Sequence, residues 1–152
     1  MKLIDCHTHT QFSVDSEADL GMCAERADRL GLAAYAVTDH CECNSWYPAE
    51  HYSDGDDMHD SYRYKDCFLD SVAAVTALKE KYNGKLNLIC GVEMGQPQAA
   101  PEAAAFINAD ERVDFIIGSL HQICGEKDFY YIDYTDLGTD KIYDLLERYF
   151  ME

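Results

Sequence analysis

Short apolar runs alternate along the chain with longer amphipathic segments. Four runs of small or branched apolar residues predict strands at residues 3–9, 33–38, 86–92 and 113–120. Between and after them, apolar residues recur every three or four positions, which predicts helices over residues 20–30, 63–82, 101–108 and 139–151. This alternation of strands and helices predicts a mostly parallel sheet with helical crossovers.

Local signals place the ends of these helices. Ser16-Glu17-Ala18-Asp19 resembles a capping box before the first helix, and Gly31 fits the C-terminal end of that helix. Asn83-Gly84 ends the second helix, and Pro101 suits the first turn of the third. The polar residues over 41–62 predict a long loop.

The end of the chain bears on the fold class. The 152 residues are enough for one domain with a core, so we expect a single domain over 1–152. The apolar face of the last helix has no following strand to cover, and a barrel closed by four strands would be too narrow. We therefore expect an α/β fold that is an incomplete β/α barrel, the first part of a larger one, with four or five parallel strands. The alternative is a compact open sheet completed by a second chain.

Composition narrows the function classes. A net charge of −17 argues against nucleic acid as a partner, because phosphate backbones attract basic surfaces. No apolar stretch approaches 18 residues, so we expect no membrane span, and no signal segment is recognised. The seven cysteines then indicate reduced thiols in a cytoplasmic protein. Cys41-Glu42-Cys43 is a weak metal pattern, and we expect two loop cysteines there.

Candidate metal ligands stand at the ends of the predicted strands. His7 and His9 follow the first strand, and residues i and i+2 of a strand face the same side. His40, Glu93 and His121 end the next three strands. In barrels of alternating strands and helices, reactive groups gather at this edge. Each histidine alone is more often a core or loop residue, but five such groups at four strand ends predict a metal cluster.

Other polar residues are expected to assist these ligands or to remain in solvent. Asp15 lies where its carboxylate can reach the cluster, or else favour the N-terminus of the first helix. Asp39 and Asp5 are expected to support the ligands rather than bind metal. His51 and His59 lie in the polar loop and are expected to be solvated.

The combined motifs resemble the PHP (polymerase and histidinol phosphatase) superfamily, and within it the histidinol phosphatases. The resemblance covers essentially the whole chain and rests on His7-Thr8-His9-Thr10, Ser13-Val14-Asp15-Ser16, Thr38-Asp39-His40, Gly91-Val92-Glu93 and Gly118-Ser119-Leu120-His121. It implies a distorted, TIM-barrel-like seven-stranded β/α barrel with up to three divalent metal ions, which are zinc, manganese or iron.

The resemblance also implies roles for individual residues. His7 and His9 hold the first metal, Glu93 bridges the first and second, and His121 binds the second. Asp15 and His40 belong to the third. Catalysis is expected to depend most directly on Glu93 and His121. The implied reaction is metal-assisted hydrolysis of a phosphomonoester, L-histidinol phosphate, in histidine biosynthesis.

One departure from the family pattern is large. The complete site needs a further histidine and a D-x-H pair, yet no histidine follows His121. We therefore expect a truncated frame, a fragment, or a partner chain that supplies the rest, with the open sheet edge inviting homo-oligomers. The alternatives are a metal-binding remnant without catalysis and an amidohydrolase-type enzyme, since amidohydrolases also open with H-x-H.

Overall fold

The computed structural model describes residues 2–43, 64–123 and 126–152. Within these residues strands and helices alternate as predicted. Their bounds are β1 (Ile4–Asp5), α1 (Leu20–Arg29), β2 (Ala34–Val37), β3 (His40–Glu42), α2 (Tyr64–Tyr82), β4 (Asn87–Gly95), α3 (Pro101–Asn108), β5 (Phe115–Ser119) and α4 (Thr139–Met151). A short 3-10 helix over Phe129–Tyr131 lies between β5 and α4.

The sheet is parallel and follows chain order. β1 pairs with β2, β2 and β3 both pair with β4, and β4 pairs with β5. Among the described residues, β1 and β5 each have a neighbour on one side only, so the sheet is not closed. This progression with helical crossovers is the wall of a β/α barrel. The prediction of an incomplete, TIM-barrel-like α/β fold is confirmed.

β2 and β3 are two parts of one line of chain along β4. Ala34 pairs with Asn87 and His40 with Glu93, so the register does not change between them. The interruption falls at Thr38, whose N–H donates to the carbonyl of Thr8 instead. The prediction of a loop from residue 41 was therefore wrong at its start. Pairing with β4 overrides the polar local sequence there.

The predicted first strand is shorter than expected. Only Ile4–Asp5 is a strand, although Thr8 keeps the same register beyond it by bonding through its backbone to Thr38. His7 and His9 flank Thr8 and belong to the loop that follows β1. They lie at the carboxyl end of β1, as predicted, but not within it.

The helices begin and end for local reasons. The N-cap of α1 is Asp19, whose side chain accepts from the N–H of Met22, so the capping box predicted to begin at Ser16 is wrong. Gly31 follows α1 with φ of +71°, the left-handed conformation that a glycine adopts without strain. Pro101 begins α3, as predicted.

The core lies between β4 and the helices. Phe68, Val72 and Val75 of α2 are almost fully buried, and they form one cluster with Leu88 and Val92 of β4. Burying an aliphatic or aromatic side chain of this size contributes about 1.5–3 kcal/mol. This packing fixes β4, and with it Glu93.

The cysteine pair is a second correction. Cys41 lies in β3, and both Cys41 and Cys43 are fully buried, so the prediction of loop cysteines was wrong. Burial raises the pKa of Cys43 to about 12, so its thiol stays protonated. In the described part of the chain, Cys6, Cys23, Cys43 and Cys90 are free thiols.

Two further predictions concern the histidines of the polar loop and membrane-spanning helices. His51 and His59 lie outside them. Within the ranges that the structure describes, none of the helices combines the length and apolar character needed to cross a membrane.

A partly exposed group of hydrogen bonds beside β4 supports a prediction about acid stability. The Asp114 carboxylate accepts from the backbone N–H of Cys90 at 2.9 Å and from Lys79 Nζ at 2.6 Å. Burial alone would raise the pKa of Asp114, but these two hydrogen bonds outweigh it and lower the pKa below its ordinary value of 3.8. The stabilisation is therefore present above the unfolded-state pKa and is lost as pH falls through the folded-state pKa.

Asp114→Asn should cost about 0.5–1 kcal/mol at pH 7, a value that allows for solvent screening of this partly exposed pair. The difference from wild type should shrink below about pH 4, where the unfolded-state carboxyl is protonated. Urea unfolding from pH 7 to pH 3 measures this, with the exposed Glu17→Gln as control. A difference that grows as the pH falls would contradict the assignment.

Candidate metal centre

Four parallel segments bring their candidate ligands to one edge of the sheet. His7 and His9 follow β1, His40 begins β3 directly opposite Glu93 of β4, and His121 follows β5. Because the segments are parallel neighbours, their carboxyl ends meet at this edge. All five groups expected from the sequence to converge are brought together.

Glu93 is the centre of the group. Its Oε2 lies 3.1 Å from His7 Nε2, 3.0 Å from His9 Nε2 and 3.3 Å from His40 Nδ1. Its Oε1 lies 3.1 Å from His121 Nε2. The side chain is only 6% exposed. One buried carboxylate thus contacts four imidazoles.

Asp15 joins the cluster from the loop after β1. Its Oδ2 lies 2.9 Å from His9 Nδ1 and 3.5 Å from His40 Nε2. Ser13 Oγ donates to Asp15 at 2.6 Å and accepts from the N–H of His40, which ties the loop to β3. Burial alone would raise the pKa of Asp15, but the hydrogen bonds from Ser13 and His9 lower it.

The four imidazole rings form a continuous row. Ring centroids are 5.1 Å apart from His7 to His9, 4.5 Å from His9 to His40, and 4.9 Å from His40 to His121. They line a cavity of about 610 Å³, whose other walls include Tyr64, Asp128, Tyr130 and Tyr131. A small organic molecule therefore has room beside the rings.

Two buried nitrogens give the strongest indication of a metal site. Among the described residues, neither His9 Nε2 nor His40 Nδ1 has a hydrogen-bond partner. They lie 3.0 Å and 3.3 Å from Glu93 Oε2, respectively, and neither forms a hydrogen bond with it. A buried nitrogen without a partner is costly, and a metal ion that accepts its lone pair removes this cost.

The spacing of the ligand atoms also suits metal ions. In a tetrahedral site with bonds of about 2.0–2.1 Å, neighbouring ligand atoms are roughly 3.3 Å apart. In the described residues, three overlapping groups have all their ligand atoms within 4.8 Å of one another: His7, His9 and Glu93; His9, Asp15 and His40; and His40, Glu93 and His121. The residues present therefore fit bound divalent cations.

The field at this edge favours positive charge. Burial alone would raise the pKa of Glu93, but the hydrogen bond with His121 and the close approach of the His9 ring hold that pKa well below its usual range. Burial opposes a proton on His121, yet Glu42 and Glu93 together raise the pKa of His121 to about 10. The nearby carboxylates of Glu93 and Asp15 likewise raise the pKa of His9, although burial opposes this. Two ionised, buried carboxylates would stabilise a metal cation in the same way.

Asp39 and Asp5 differ in what they contact. Asp39 is buried and accepts from the N–H and Oγ of Thr10 and from Ser71 Oγ of α2, so it fastens the histidine-bearing loop to the core. Asp5 is exposed, and its carboxylate lies 3.5 Å from the backbone N–H of His7. The expectation that both support the ligands stays a prediction.

Three polar residues around the cluster were not predicted from the sequence. Ser119 Oγ donates to Glu93 Oε1 at 2.8 Å. Glu42 lies 2.8 Å from His121 Nδ1, and Gln96 contacts both Glu42 and His121. Burial alone would raise the pKa of Glu42, but the hydrogen bond with His121 and the nearby His40 ring lower it to about 2. The i to i+2 spacing from His40 to Glu42 would have indicated a shared face, had residues 40–42 been recognised as a strand.

Comparison with known proteins is consistent with this geometry. The family model of the PHP domain matches residues 5–152. Comparison with curated proteins gives no match.

Two solved structures share the fold. One is histidinol phosphate phosphatase (HisK) from Lactococcus lactis subsp. lactis Il1403, complexed with zinc, L-histidinol and phosphate. It is 23% identical, with a TM-score of 0.62, over 87% of this chain and 46% of that one. The other is from Listeria monocytogenes and is assigned as the histidinol phosphatase HisK. It is 21% identical, with a TM-score of 0.63, over 78% of this chain and 44% of that one. The chain thus spans less than half the length of either.

Proposed function

This chain belongs to the PHP domain family, and we propose that it is a metal-dependent phosphomonoester hydrolase of the histidinol-phosphatase type. The single observation that carries the proposal is the row of four imidazoles around buried Glu93, with His9 Nε2 and His40 Nδ1 lacking hydrogen-bond partners among the described residues. Such a set of nitrogen and carboxylate donors is typical of zinc, manganese or iron.

The proposed ligands follow the three groups of donor atoms. His7, His9 and Glu93 would hold one ion, Glu93 and His121 a second, and Asp15 and His40 a third, and each of these sets lies within one of the three groups. Bound divalent ions supply a nucleophilic water and neutralise the charge that develops on a phosphoryl group. Glu93 holds neighbouring ligand sets at a fixed separation, because both of its oxygens are engaged.

The lining of the cavity suits a phosphorylated substrate that binds beside metal ions held by the protein. No lysine or arginine lines it in the described part of the chain, and bound divalent cations would balance the phosphate charge there. Asp128 and the rings of Tyr130 and Tyr131 lie on its rim, where they suit a cationic leaving group. L-histidinol phosphate, with its amine and imidazole, meets both requirements. We propose it as the substrate, with a role in histidine biosynthesis.

Phosphate release by the 152-residue protein tests the proposal. The protein is loaded with zinc, manganese or iron and assayed against L-histidinol phosphate, simple alkyl and aryl phosphomonoesters, and an amide panel. We expect the highest kcat/KM for L-histidinol phosphate. Amide hydrolysis instead would indicate the amidohydrolase alternative. Tightly bound metal without turnover would indicate the metal-binding alternative.

The same samples give the metal stoichiometry. Because the three groups of donors share His9, His40 and Glu93, we expect fewer than three metal ions per isolated chain, measured by elemental analysis. Light scattering then tests the expected association of chains through the open sheet edge.

A further inference from the structure

The buried carboxylate of Glu42 contacts the ring nitrogen of His121 that does not face Glu93. The Glu42 side chain is 5% exposed, and its Oε1 lies 2.8 Å from His121 Nδ1. An ionised carboxylate only accepts hydrogen bonds, so Nδ1 of His121 must carry a proton and donate. In the neutral ring the lone pair is then on Nε2, which faces Glu93 at 3.1 Å.

Gln96 holds both partners of this hydrogen bond. Its Nε2 donates to Glu42 Oε2 at 2.6 Å, and its Oε1 accepts from the backbone N–H of His121 at 2.8 Å. Since the carboxylate only accepts and the N–H only donates, the amide has one possible orientation. Gln96 is buried and has φ of +48°, a backbone conformation unusual outside glycine. Such a conformation persists where the surroundings over-determine it, as they do here.

Gly95 leaves the space that Glu42 occupies. Glu42 pairs with Gly95 in the β3–β4 register, and a Cβ on Gly95 would lie 2.0 Å from Glu42 Oε2. No side chain fits there unless the carboxylate moves. Gly95, Gln96 and Glu42 therefore form one unit around the His121 ring.

We propose that Glu42 is a positioning residue for His121, fixing the Nδ1–H tautomer and the ring orientation so that Nε2 is presented for metal binding. The proposal rests on the metal-dependent function proposed above. A ligating histidine usually donates its other ring N–H to a carboxylate or carbonyl, and loss of that partner typically weakens metal affinity 10–100-fold. Glu42 itself is not placed among the ligands.

Two variants separate the hydrogen bond to the His121 ring from the negative charge at residue 42. Glu42→Ala removes the acceptor. The double exchange of Glu42→Gln with Gln96→Glu keeps every hydrogen bond of the unit: the new amide accepts from His121 and donates to the new carboxylate. Circular dichroism checks folding, and if Glu42→Ala does not fold, Glu42→Leu replaces it, since leucine fills more of the space but offers no acceptor to His121 Nδ1. Glu25→Gln on exposed α1 is the control.

Zinc affinity by competition titration and the His121 ring signals by ¹⁵N–¹H NMR are the readouts. We expect zinc affinity to fall 10–100-fold in Glu42→Ala, less than 10-fold in the double exchange, and not at all in Glu25→Gln. The downfield Nδ1 proton of His121 should be lost only in Glu42→Ala.

The outcomes distinguish this proposal from the proposed function. If His121→Ala weakens zinc binding but Glu42→Ala does not, the positioning role is overturned and the metal function stands. If the double exchange binds zinc as weakly as Glu42→Ala, the positioning role is also overturned. The negative charge at residue 42, and not the placement of the ring, would then decide zinc affinity. If wild type binds no zinc, the metal function fails. The NMR signal of the His121 Nδ1 proton then tests the positioning role alone. Loss of this signal in Glu42→Ala supports the role, and its retention overturns the role.

Discussion

Replacing Glu93 by glutamine should remove the tight zinc binding of this protein and lower any phosphatase kcat/KM about 1,000-fold or more. Among the described residues, Glu93 is the one side chain that contacts all four imidazoles, and its oxygens face different ligand sets. An amide keeps the shape but not the anionic charge or the second acceptor oxygen. Loss of metal-based charge stabilisation of about 4 kcal/mol corresponds to roughly three powers of ten in rate.

The measurement is zinc content after dialysis, together with kcat/KM for L-histidinol phosphate. Glu126→Gln is a useful control, since Glu126 pairs with Lys141 and Arg148 of α4 away from the cluster. It removes one negative charge without touching a proposed ligand. Full zinc occupancy in Glu93→Gln would exclude the bridging role and, with it, the proposed metal centre.

Zinc should also stabilise the fold strongly. A ligand that binds only the native state at 100 times its Kd adds about 2.7 kcal/mol. For a protein of about this size each kcal/mol raises Tm by roughly 2–4 °C, so we expect a shift of about 5–10 °C. The ligands come from segments far apart in sequence, namely His7 and His9, His40, Glu93, and His121, so an unfolded chain does not present them together.

Differential scanning fluorimetry with and without zinc measures this shift. Glu93→Gln should lose most of it, and Glu126→Gln should keep it. Magnesium at the same concentration should give a much smaller shift, because it prefers oxygen ligands to imidazole. An equal shift in Glu93→Gln would show that zinc binds elsewhere, for example at the surface carboxylates of this acidic chain.

Much of this architecture could be predicted from local pattern. Apolar spacing predicted α2, α3 and α4 almost to the residue, because each buries a face or begins at a local signal such as Pro101. The strand ends predicted that His7, His9, His40, Glu93 and His121 would converge, since parallel strands share one edge. Strand extent was less predictable. β4 runs on to Gly95, and β3 exists only because β4 offers it a continued register.

The sequence by itself determined the order of the elements and the identity of the donors, because residue type and spacing depend on near neighbours alone. The tertiary structure decided how those donors are used. It placed Glu93 between four rings and left His9 Nε2 and His40 Nδ1 without partners among the described residues. It also brought Glu42 against His121, although the two lie 79 positions apart. Such contacts arise from strand register and buried packing across the sheet, which no local window of sequence contains.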